Sequence, residues 1–297
     1  MWRHGHLQIH PRRFRRSRCF FGCALASLIV RFRLVASDVD GTLLRSDETL
    51  SPRNRAAVDA VIERSLFVIA TGRPPRWTHP IAEMLDHHGI AVCSNGAVTM
   101  DLRDESIVDT RLLSPEDAAA ATEAIRAILP DVGFAVDSLD GFGHEPPYQP
   151  VFDVGRKVTI APLGELIATP SLKLLFRHRS MDGDILRAII EAVGAHGTIT
   201  YGSTASVPQS RTLIEIMAPG VSKAAALQRI CDHRKISVDD TIAFGDMPND
   251  IEMLAWAGHG VAMGNGHAET KAVADEVTLT NDEDGVGVVL ERELARS

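Results

Sequence analysis

Short apolar segments alternate with helix-forming segments after residue 33, and this alternation restricts the possible folds more than any other feature of the chain. Residues 34–37, 66–70 and 90–94 are apolar runs of strand length. The first helix between them is predicted to begin with Ser51 as its N-cap and Pro52 in its first turn. Strand–helix alternation of this kind indicates a parallel sheet with helices on both faces. We therefore predict an α/β fold with a Rossmann-like, doubly wound core.

The alternation is interrupted in the middle of the chain. The interruption contains a predicted hairpin, an alanine-rich helix, a loop rich in glycine and proline over 138–156, and further strands and a helix. Strands and helices grouped in this way are typical of an α+β module. We therefore predict a core made of residues 34–97 and 210–297, with an inserted α+β cap domain over 98–209, which is a suitable size for a small domain.

The two parts of the chain on either side of residue 33 differ in charge. Residues 1–33 contain eight arginines and no acidic residue. The whole chain has 31 basic and 39 acidic residues, so 23 basic residues remain after residue 33 and give that part a formal net charge of −16. A nucleic-acid partner needs a basic surface that neutralises phosphates. The acidic body therefore argues against binding to nucleic acid.

The N-terminal segment has the order of a signal peptide, with an arginine-rich stretch before the apolar stretch 19–30. The apolar part is too short to span a bilayer, and cleavage after it would fall within the strand that precedes Asp38. We therefore expect residues 1–33 to be a disordered extension, or the product of a start codon placed too early. A targeting or membrane-surface segment is the alternative. We expect no stable membrane insertion, and the sequence leaves the oligomeric state open.

The cysteines indicate a reducing compartment. Cys19 and Cys23 lack the C-x-x-C spacing of a redox or zinc pair, and Cys93 and Cys231 are isolated in the sequence. We therefore predict free thiols and a cytoplasmic location.

Two aspartates separated by one residue follow the first strand. Asp38 and Asp40 lie at its C-terminal end, which is the edge of an open α/β sheet where ligands bind. Buried unpaired carboxylates are costly, so this pair indicates a metal, a catalytic proton, or both. The ordinary alternative is an Asx-rich turn in which Gly41 supplies the bend.

Further polar residues stand at other strand ends and helix starts. Thr71 follows the second strand, Lys223 follows Ser222 at a helix N-terminus, and Asp246 and Asp250 follow the strand that begins near residue 241. Each has an ordinary interpretation as a turn residue, a surface lysine or a helix cap. From average residue usage, D-x-D-G-T and G-D-x-x-N-D each arise by chance in roughly one such chain in several hundred. Their joint occurrence favours a site.

The charges of these residues predict a cation. Asp38, Asp246 and Asp250 would place three negative charges in one cleft, and a bound phosphate would add to them. A divalent cation together with Lys223 could offset this charge. A set of ligands made only of oxygen atoms favours Mg²⁺.

These motifs resemble those of the haloacid dehalogenase-like (HAD) phosphatases, in particular the Cof-type group with a large α/β (C2-type) cap after the third strand. The matching motifs are 38–42, Thr71 within 70–73, Lys223, and 245–250. The segment 260–265 is also similar to this group. The resemblance covers roughly residues 34–294 and implies a HAD-like core with an inserted cap.

The resemblance implies a Mg²⁺-dependent phosphatase that forms an aspartyl-phosphate. Asp38 would be the nucleophile. Asp40 would protonate the leaving oxygen and then take a proton from the water that hydrolyses the intermediate. Thr71 and Lys223 would complete the catalytic group by gripping the phosphoryl oxygens. The metal site would comprise Asp38, Asp40 (through its backbone carbonyl), Asp246 and Asp250. Of these, Asp250 would lie behind the direct ligands or pair with Lys223. Phosphate or substrate contacts are expected for Gly41, Thr42, Gly72, Arg73, Asn95 and Asn249.

Other functions stay open beside the leading one. We expect a small soluble substrate, such as a sugar phosphate or a phosphorylated cofactor, because a closing cap excludes bulky esters. A phosphomutase or phosphotransferase could use the same aspartyl-phosphate. A phosphoacceptor or ligand-binding regulatory module could be phosphorylated on Asp38 with incidental turnover. Asp40 favours the enzyme, since a phosphoacceptor alone needs no acid or base.

Overall fold

The computed structural model of the protein describes residues 31–86, 88–150, 158–178, 181–202 and 212–296. Residues 1–30 lie outside these ranges, so the disorder of that part of the extension and the thiols of Cys19 and Cys23 stay predictions. The predicted extension ends earlier than residue 33, because Phe32 is buried in the apolar core and Arg31 pairs with Glu293. Cys93 and Cys231 are free, as predicted, and both are buried.

The secondary structure consists of strands and helices that we number in chain order. The strands are β1 (Leu34–Ser37), β2 (Leu66–Ala70), β3 (Ile90–Cys93), β4 (Val98–Asp101), β5 (Ser106–Thr110), β6 (Phe134–Asp137), β7 (Phe142–His144), β8 (Val158–Ile160), β9 (Lys173–His178), β10 (Thr198–Gly202), β11 (Thr212–Met217), β12 (Thr241–Gly245), β13 (His259–Ala262) and β14 (Glu276–Val277). The helices are α1 (Pro52–Ile62), α2 (His79–Met84), α3 (Pro115–Ile128), α4 (Leu163–Leu166), α5 (Gly183–Val193), α6 (Lys223–Arg234), α7 (Ile251–Trp256), α8 (Ala268–Val273) and α9 (Gly285–Ala295). Among the described residues, no helix has the length and apolar character that a membrane span requires.

The larger of two sheets has the strand order β14-β13-β12-β1-β2-β3-β4-β5. Pairing is parallel from β14 to β3 and antiparallel at β4 and β5. The chain proceeds outward from β1 through β2 and β3 on one side, and from β12 through β13 and β14 on the other. The strand order therefore reverses between β1 and β12, and ligands bind outside the carboxyl ends of the strands at such a switch point.

Helices cover both faces of the parallel strands. On one face, Val58 of α1 and Val289 of α9 belong to the same apolar cluster as Val35 of β1. On the other face, Leu227 of α6 and Leu254 of α7 pack in a cluster with Leu34. Successive residues of β1 thus point to opposite apolar layers, which is why Leu34, Val35 and Ala36 form an apolar run. The predicted α/β fold is confirmed.

The smaller sheet has the order β10-β11-β9-β6-β7-β8. Its pairings are antiparallel except between β7 and β8. One face packs on α3 and α5, where Ile125 and Ile189 join a cluster with Phe134 and Phe176. This sheet and its helices form the predicted type of α+β module.

Sheet membership differs from the predicted boundaries at residues 98 and 210. The hairpin β4–β5 extends the larger sheet beside β3, although it was predicted to begin the cap. Strand β11, predicted as a core strand, pairs with β9 and β10 in the smaller sheet. The chain therefore leaves the larger sheet after Thr110, and it leaves the smaller sheet after Met217. An apolar strand pattern reports burial but does not specify which sheet edge the strand joins, so the pattern could not place these strands.

Candidate active site

Asp38 stands at the carboxyl end of β1, beside the switch point. Its backbone N–H donates to the carbonyl of Phe244 on β12 at 2.9 Å, which continues the parallel pairing to the end of the strand. The chain then bends through Val39–Leu43, where Gly41 adopts a φ of +79°. A Cβ on Gly41 would lie 2.5 Å from Asp246 Oδ2, so only glycine allows this bend to approach the second acidic motif.

Three carboxylates meet at this edge of the larger sheet. Carboxylate oxygens of Asp38, Asp246 and Asp250 all lie within 4.8 Å of one another, and the three residues are buried. Lys223 Nζ donates to Asp38 Oδ1 at 2.5 Å and to Asp250 Oδ1 at 2.6 Å. Lys223 is itself only 1% exposed. One buried ammonium therefore faces three buried carboxylates.

The pKa values of these groups reflect the excess of negative charge. Burial, with the charge of Asp250, raises the pKa of Asp246 to about 7, although a hydrogen bond from the Thr42 hydroxyl opposes the shift. Burial also raises the pKa of Asp38 well above its usual range, against the attraction of Lys223. Burial alone would lower the pKa of Lys223, but the charges of Asp250 and Asp38 raise it, so the lysine stays protonated. A divalent cation fits this all-oxygen donor set because it would supply the missing positive charge.

Local structure fixes Lys223 and Asp250. Ser222 caps α6 by accepting a hydrogen bond from the Ala225 N–H at 3.2 Å, which sets Lys223 at the first position of the helix. Asp250 Oδ2 accepts from the backbone N–H groups of Asp246 at 2.9 Å and Met247 at 3.0 Å. Asp250 therefore orders the turn that carries Asp246 and, through its other oxygen, holds Lys223.

Asp40 is not part of the buried carboxylate cluster and is bound by Arg73. Its two oxygens accept from Arg73 Nε at 2.8 Å and Arg73 Nη2 at 2.5 Å. The Asp40 side chain is 52% exposed, in contrast to the buried Asp38. The paired aspartates of the first motif are thus in different environments: one is buried beside Lys223 and the other is accessible beside a guanidinium.

Thr71 and Asn95 join the ends of β2 and β3. The Thr71 hydroxyl accepts from the Arg73 N–H at 3.0 Å, and the Thr71 carbonyl accepts from the Asn95 N–H at 3.0 Å. Asn95 is buried in the left-handed region, with a φ of +55°. Its side-chain Oδ1 accepts from Asn249 Nδ2 at 3.0 Å. The predicted residues Thr71, Asn95 and Asn249 are therefore neighbours at the same edge.

Two charged residues of the smaller sheet also reach this edge, and sequence reasoning did not single them out. Lys173 Nζ donates to the carbonyl of Gly72 at 3.0 Å, and Glu215 Oε2 accepts from Asn95 Nδ2 at 2.8 Å. Lys173 and Glu215 also form an ion pair with each other. The available signal was a charged residue within an apolar strand, as in the Leu-Ile-Glu-Ile-Met run of β11.

The fold and the acidic cluster together define an α/β enzyme with a cation-suited site at its switch point. A family model described as haloacid dehalogenase-like hydrolase matches residues 35–290. This match covers most of the chain, and the chain belongs to this family. The resemblance predicted from the four motifs is confirmed.

Several relatives of the chain are phosphatases. The 5-amino-6-(5-phospho-D-ribitylamino)uracil phosphatase YitU of Bacillus subtilis is 30% identical over 261 residues, which cover 85% of this chain and 94% of that protein. The HMP-PP phosphatase of Serratia proteamaculans is 30% identical over 273 residues, which cover 84% of this chain and 89% of that protein. A solved HAD-superfamily phosphatase from Bacteroides thetaiotaomicron has a TM-score of 0.74 at 25% identity, covering 91% of this chain and 98% of that chain. The chain is a phosphoric monoester hydrolase of the HAD type.

Proposed function

We propose that the protein is a Mg²⁺-dependent phosphatase that hydrolyses a small phosphorylated metabolite through an aspartyl-phosphate on Asp38. The observation that carries this proposal is the buried group of Asp38, Asp246 and Asp250 around Lys223 at the switch point of the larger sheet. This group has three carboxylates but only one ammonium, and a cation bound together with an anionic phosphoryl group would use both the carboxylates and the lysine.

We assign the metal ligands to the carboxylates of Asp38 and Asp246 and to the backbone carbonyl of Asp40. Asp250 would lie behind them, where its bonds to Lys223 and to the turn at Asp246 support the ligands. A bound Mg²⁺ would offset the negative charge of the phosphoryl oxygens. Thr42 supports this assignment because its hydroxyl donates to Asp246 Oδ1 at 2.8 Å and so orients that carboxylate.

In the first step Asp38 attacks phosphorus, so that an oxygen–phosphorus bond forms while the bond to the leaving oxygen breaks. Asp40 gives its proton to the leaving oxygen. In the second step Asp40 takes a proton from water, the water oxygen attacks phosphorus, and Asp38 is released together with inorganic phosphate. The bonds from Arg73 to both oxygens of Asp40 orient the carboxyl group that transfers the proton in each step.

The phosphoryl group would be held by side chains and by backbone N–H groups at the strand ends, since phosphoryl transfer depends mainly on positioning and charge. Lys223 and Thr71 would grip its oxygens. The remaining phosphate and substrate contacts would come from Gly41, Thr42, Gly72, Arg73, Asn95 and Asn249.

The smaller sheet, as part of a cap, would cover the leaving group. The names of two relatives give their substrates as 5-amino-6-(5-phospho-D-ribitylamino)uracil and HMP-PP. We propose a substrate of the same general kind, a sugar phosphate or a phosphorylated cofactor, and no nucleic-acid partner. We also propose a cytoplasmic location, which the buried free thiols of Cys93 and Cys231 support.

Release of phosphate from a panel of phosphorylated metabolites and from p-nitrophenyl phosphate tests the function. We expect sustained turnover with Mg²⁺ and none with EDTA. Release of a single phosphate per chain would instead favour a phosphoacceptor module. A phosphorylated isomer as the main product, without free phosphate, would favour a phosphomutase.

A further inference from the structure

Lys173 and Glu215 form an ion pair on adjacent strands of the smaller sheet, with side chains that are 5% and 14% exposed. Glu215 lies opposite Leu175 in the β11–β9 register, and Leu175 is two residues from Lys173, so both charged side chains project from the same face. Lys173 is 4% exposed. A buried ion pair is tolerated only where further hydrogen bonds satisfy its remaining polar atoms. Here Lys173 donates to Gly72 and Glu215 accepts from Asn95, both at the edge of the larger sheet, and Glu215 also accepts from the Thr200 hydroxyl of the smaller sheet at 3.4 Å.

Glu215 determines the direction of a chain of side-chain amides. A carboxylate only accepts hydrogen bonds, so the amide group of Asn95 must turn its NH₂ towards Glu215. The Oδ1 of Asn95 then faces Asn249 and accepts from Asn249 Nδ2. The charge of Glu215 therefore sets the orientation of Asn249, a proposed phosphate or substrate contact, through one intermediate side chain.

Lys173 contacts the loop after β2 as a hydrogen-bond donor, whereas Glu215 is an acceptor. An ammonium only donates hydrogen bonds, and Lys173 Nζ donates to the carbonyl of Gly72. The peptide of Gly72 lies between Thr71, whose hydroxyl accepts from the Arg73 N–H, and Arg73, which holds Asp40. The ammonium thus fixes the turn that presents Thr71 and Arg73 to the site.

We infer that Lys173 and Glu215 are a positioning pair that holds the phosphate-binding loops of the larger sheet in their working geometry. This inference rests on the proposed phosphatase function and adds to it two residues that act through others. The pair contacts Gly72 and Asn95 rather than the leaving group. Its loss therefore weakens binding of any phosphate, whatever the organic part of the substrate.

The test compares Glu215→Leu and Glu215→Gln with the wild-type chain, using inorganic phosphate as a competitive inhibitor. Glu215→Leu removes the acceptor for Asn95, so it should raise the Ki for phosphate and lower kcat/KM on the order of tenfold to a hundredfold. The loss in kcat/KM should be equal for p-nitrophenyl phosphate and a sugar phosphate. Glu215→Gln keeps an acceptor oxygen for Asn95 and should restore much of the phosphate affinity.

Glu145→Leu is the matched control. Glu145 is a comparably buried carboxylate beside the same sheet, and it is paired with Arg126 and with the Phe134 N–H. Its replacement should lower the thermal midpoint without changing the Ki for phosphate. If Glu215→Leu does not fold, Lys173→Met combined with Glu215→Leu removes both charges together. The Ki for phosphate of this double variant is then compared with that of Glu145→Leu.

An unchanged Ki for phosphate in a folded Glu215→Leu protein, with losses that differ between substrates, would make Glu215 a leaving-group contact and overturn the inference. A lower thermal midpoint with unchanged kinetics would make the pair purely structural and would also overturn it. Phosphate binding can be followed by the rise in thermal midpoint that it causes, without turnover. Absence of turnover in the wild-type chain would therefore contradict the proposed function, while this measurement still tests the pair.

Discussion

Lys223 Nζ lies 2.5 Å from Asp38 Oδ1, although 185 residues separate the two positions in the chain. The same ammonium lies 2.6 Å from Asp250 Oδ1. A buried charge is stable only beside an opposite charge, because removing an unpaired ion from water costs several kcal/mol. Lys223 therefore joins the end of β1 to the fourth motif as well as to the start of α6. It has a structural role in addition to its proposed contact with phosphate.

Lys223→Met should destabilise the fold because it leaves two buried carboxylates without their ammonium. The free energy of unfolding should fall by roughly 3–5 kcal/mol, measured by urea denaturation. Lys235→Met is a suitable control, since Lys235 is exposed just beyond the other end of α6, and it should change the value by less than about 0.5 kcal/mol. A Lys223→Met protein as stable as the wild type would contradict the buried pairing.

Asp38→Asn should abolish turnover while keeping the fold. Loss of the nucleophile should lower kcat by at least about 10⁴-fold. Burial raises the pKa of Asp38, so its charge is unfavourable where it stands, and removing it should leave the thermal midpoint unchanged or higher. Asp47→Asn, at an exposed acid on the following loop, should keep full activity. Turnover by Asp38→Asn close to the wild-type rate would exclude Asp38 as the nucleophile.

Asp246 should make stability depend on pH when no cation is present. Its pKa is raised from the ordinary value of 3.8 to about 7, chiefly by burial, so between these values the folded chain keeps a proton that the unfolded chain has lost. The free energy of unfolding should therefore fall as pH rises through this interval in EDTA. Mg²⁺ in excess should raise the thermal midpoint most above about pH 7, where the carboxylate of the folded chain is ionised.

Asp246→Asn isolates this contribution from the other titrating groups. In EDTA its thermal midpoint should fall less than that of the wild type as pH rises, and Mg²⁺ should stabilise it less. Equal pH dependence of the two proteins would show that Asp246 has an ordinary pKa in the folded chain.

Local motifs were enough to predict most of the larger-sheet side of the site. Asp38, Asp246 and Lys223 each follow a strand or begin a helix, and parallel strands bring their carboxyl ends to one edge. Their meeting could therefore be predicted without knowing any long-range contact. The bidentate bond between Asp40 and Arg73 could not, because it depends on side-chain conformations in two separate loops.

The smaller-sheet side of the site was not predictable in the same way. Contact between Lys173 and Glu215 depends on the antiparallel register of β9 and β11, which are separated by a helix and another strand. Strand β11 was also assigned to the wrong sheet, so Glu215 was expected in the core and away from any cap. Register follows from which faces are buried against which helices, and that information is spread over the whole module.

Asp40→Asn should reveal the proton-transfer role through the choice of substrate. Loss of a general acid should lower kcat by about 10²–10⁴-fold for an alkyl phosphate, whose leaving oxygen needs a proton. The rate of aspartyl-phosphate formation should decrease less for p-nitrophenyl phosphate, because nitrophenolate departs without protonation. A burst of nitrophenolate followed by slow turnover, measured by stopped flow, would show that the second step is impaired as well. Arg73→Met should lower kcat for both substrates with a smaller effect, since it leaves Asp40 present but no longer oriented. An equal loss for alkyl and nitrophenyl esters in Asp40→Asn, without a burst, would contradict acid–base catalysis by Asp40.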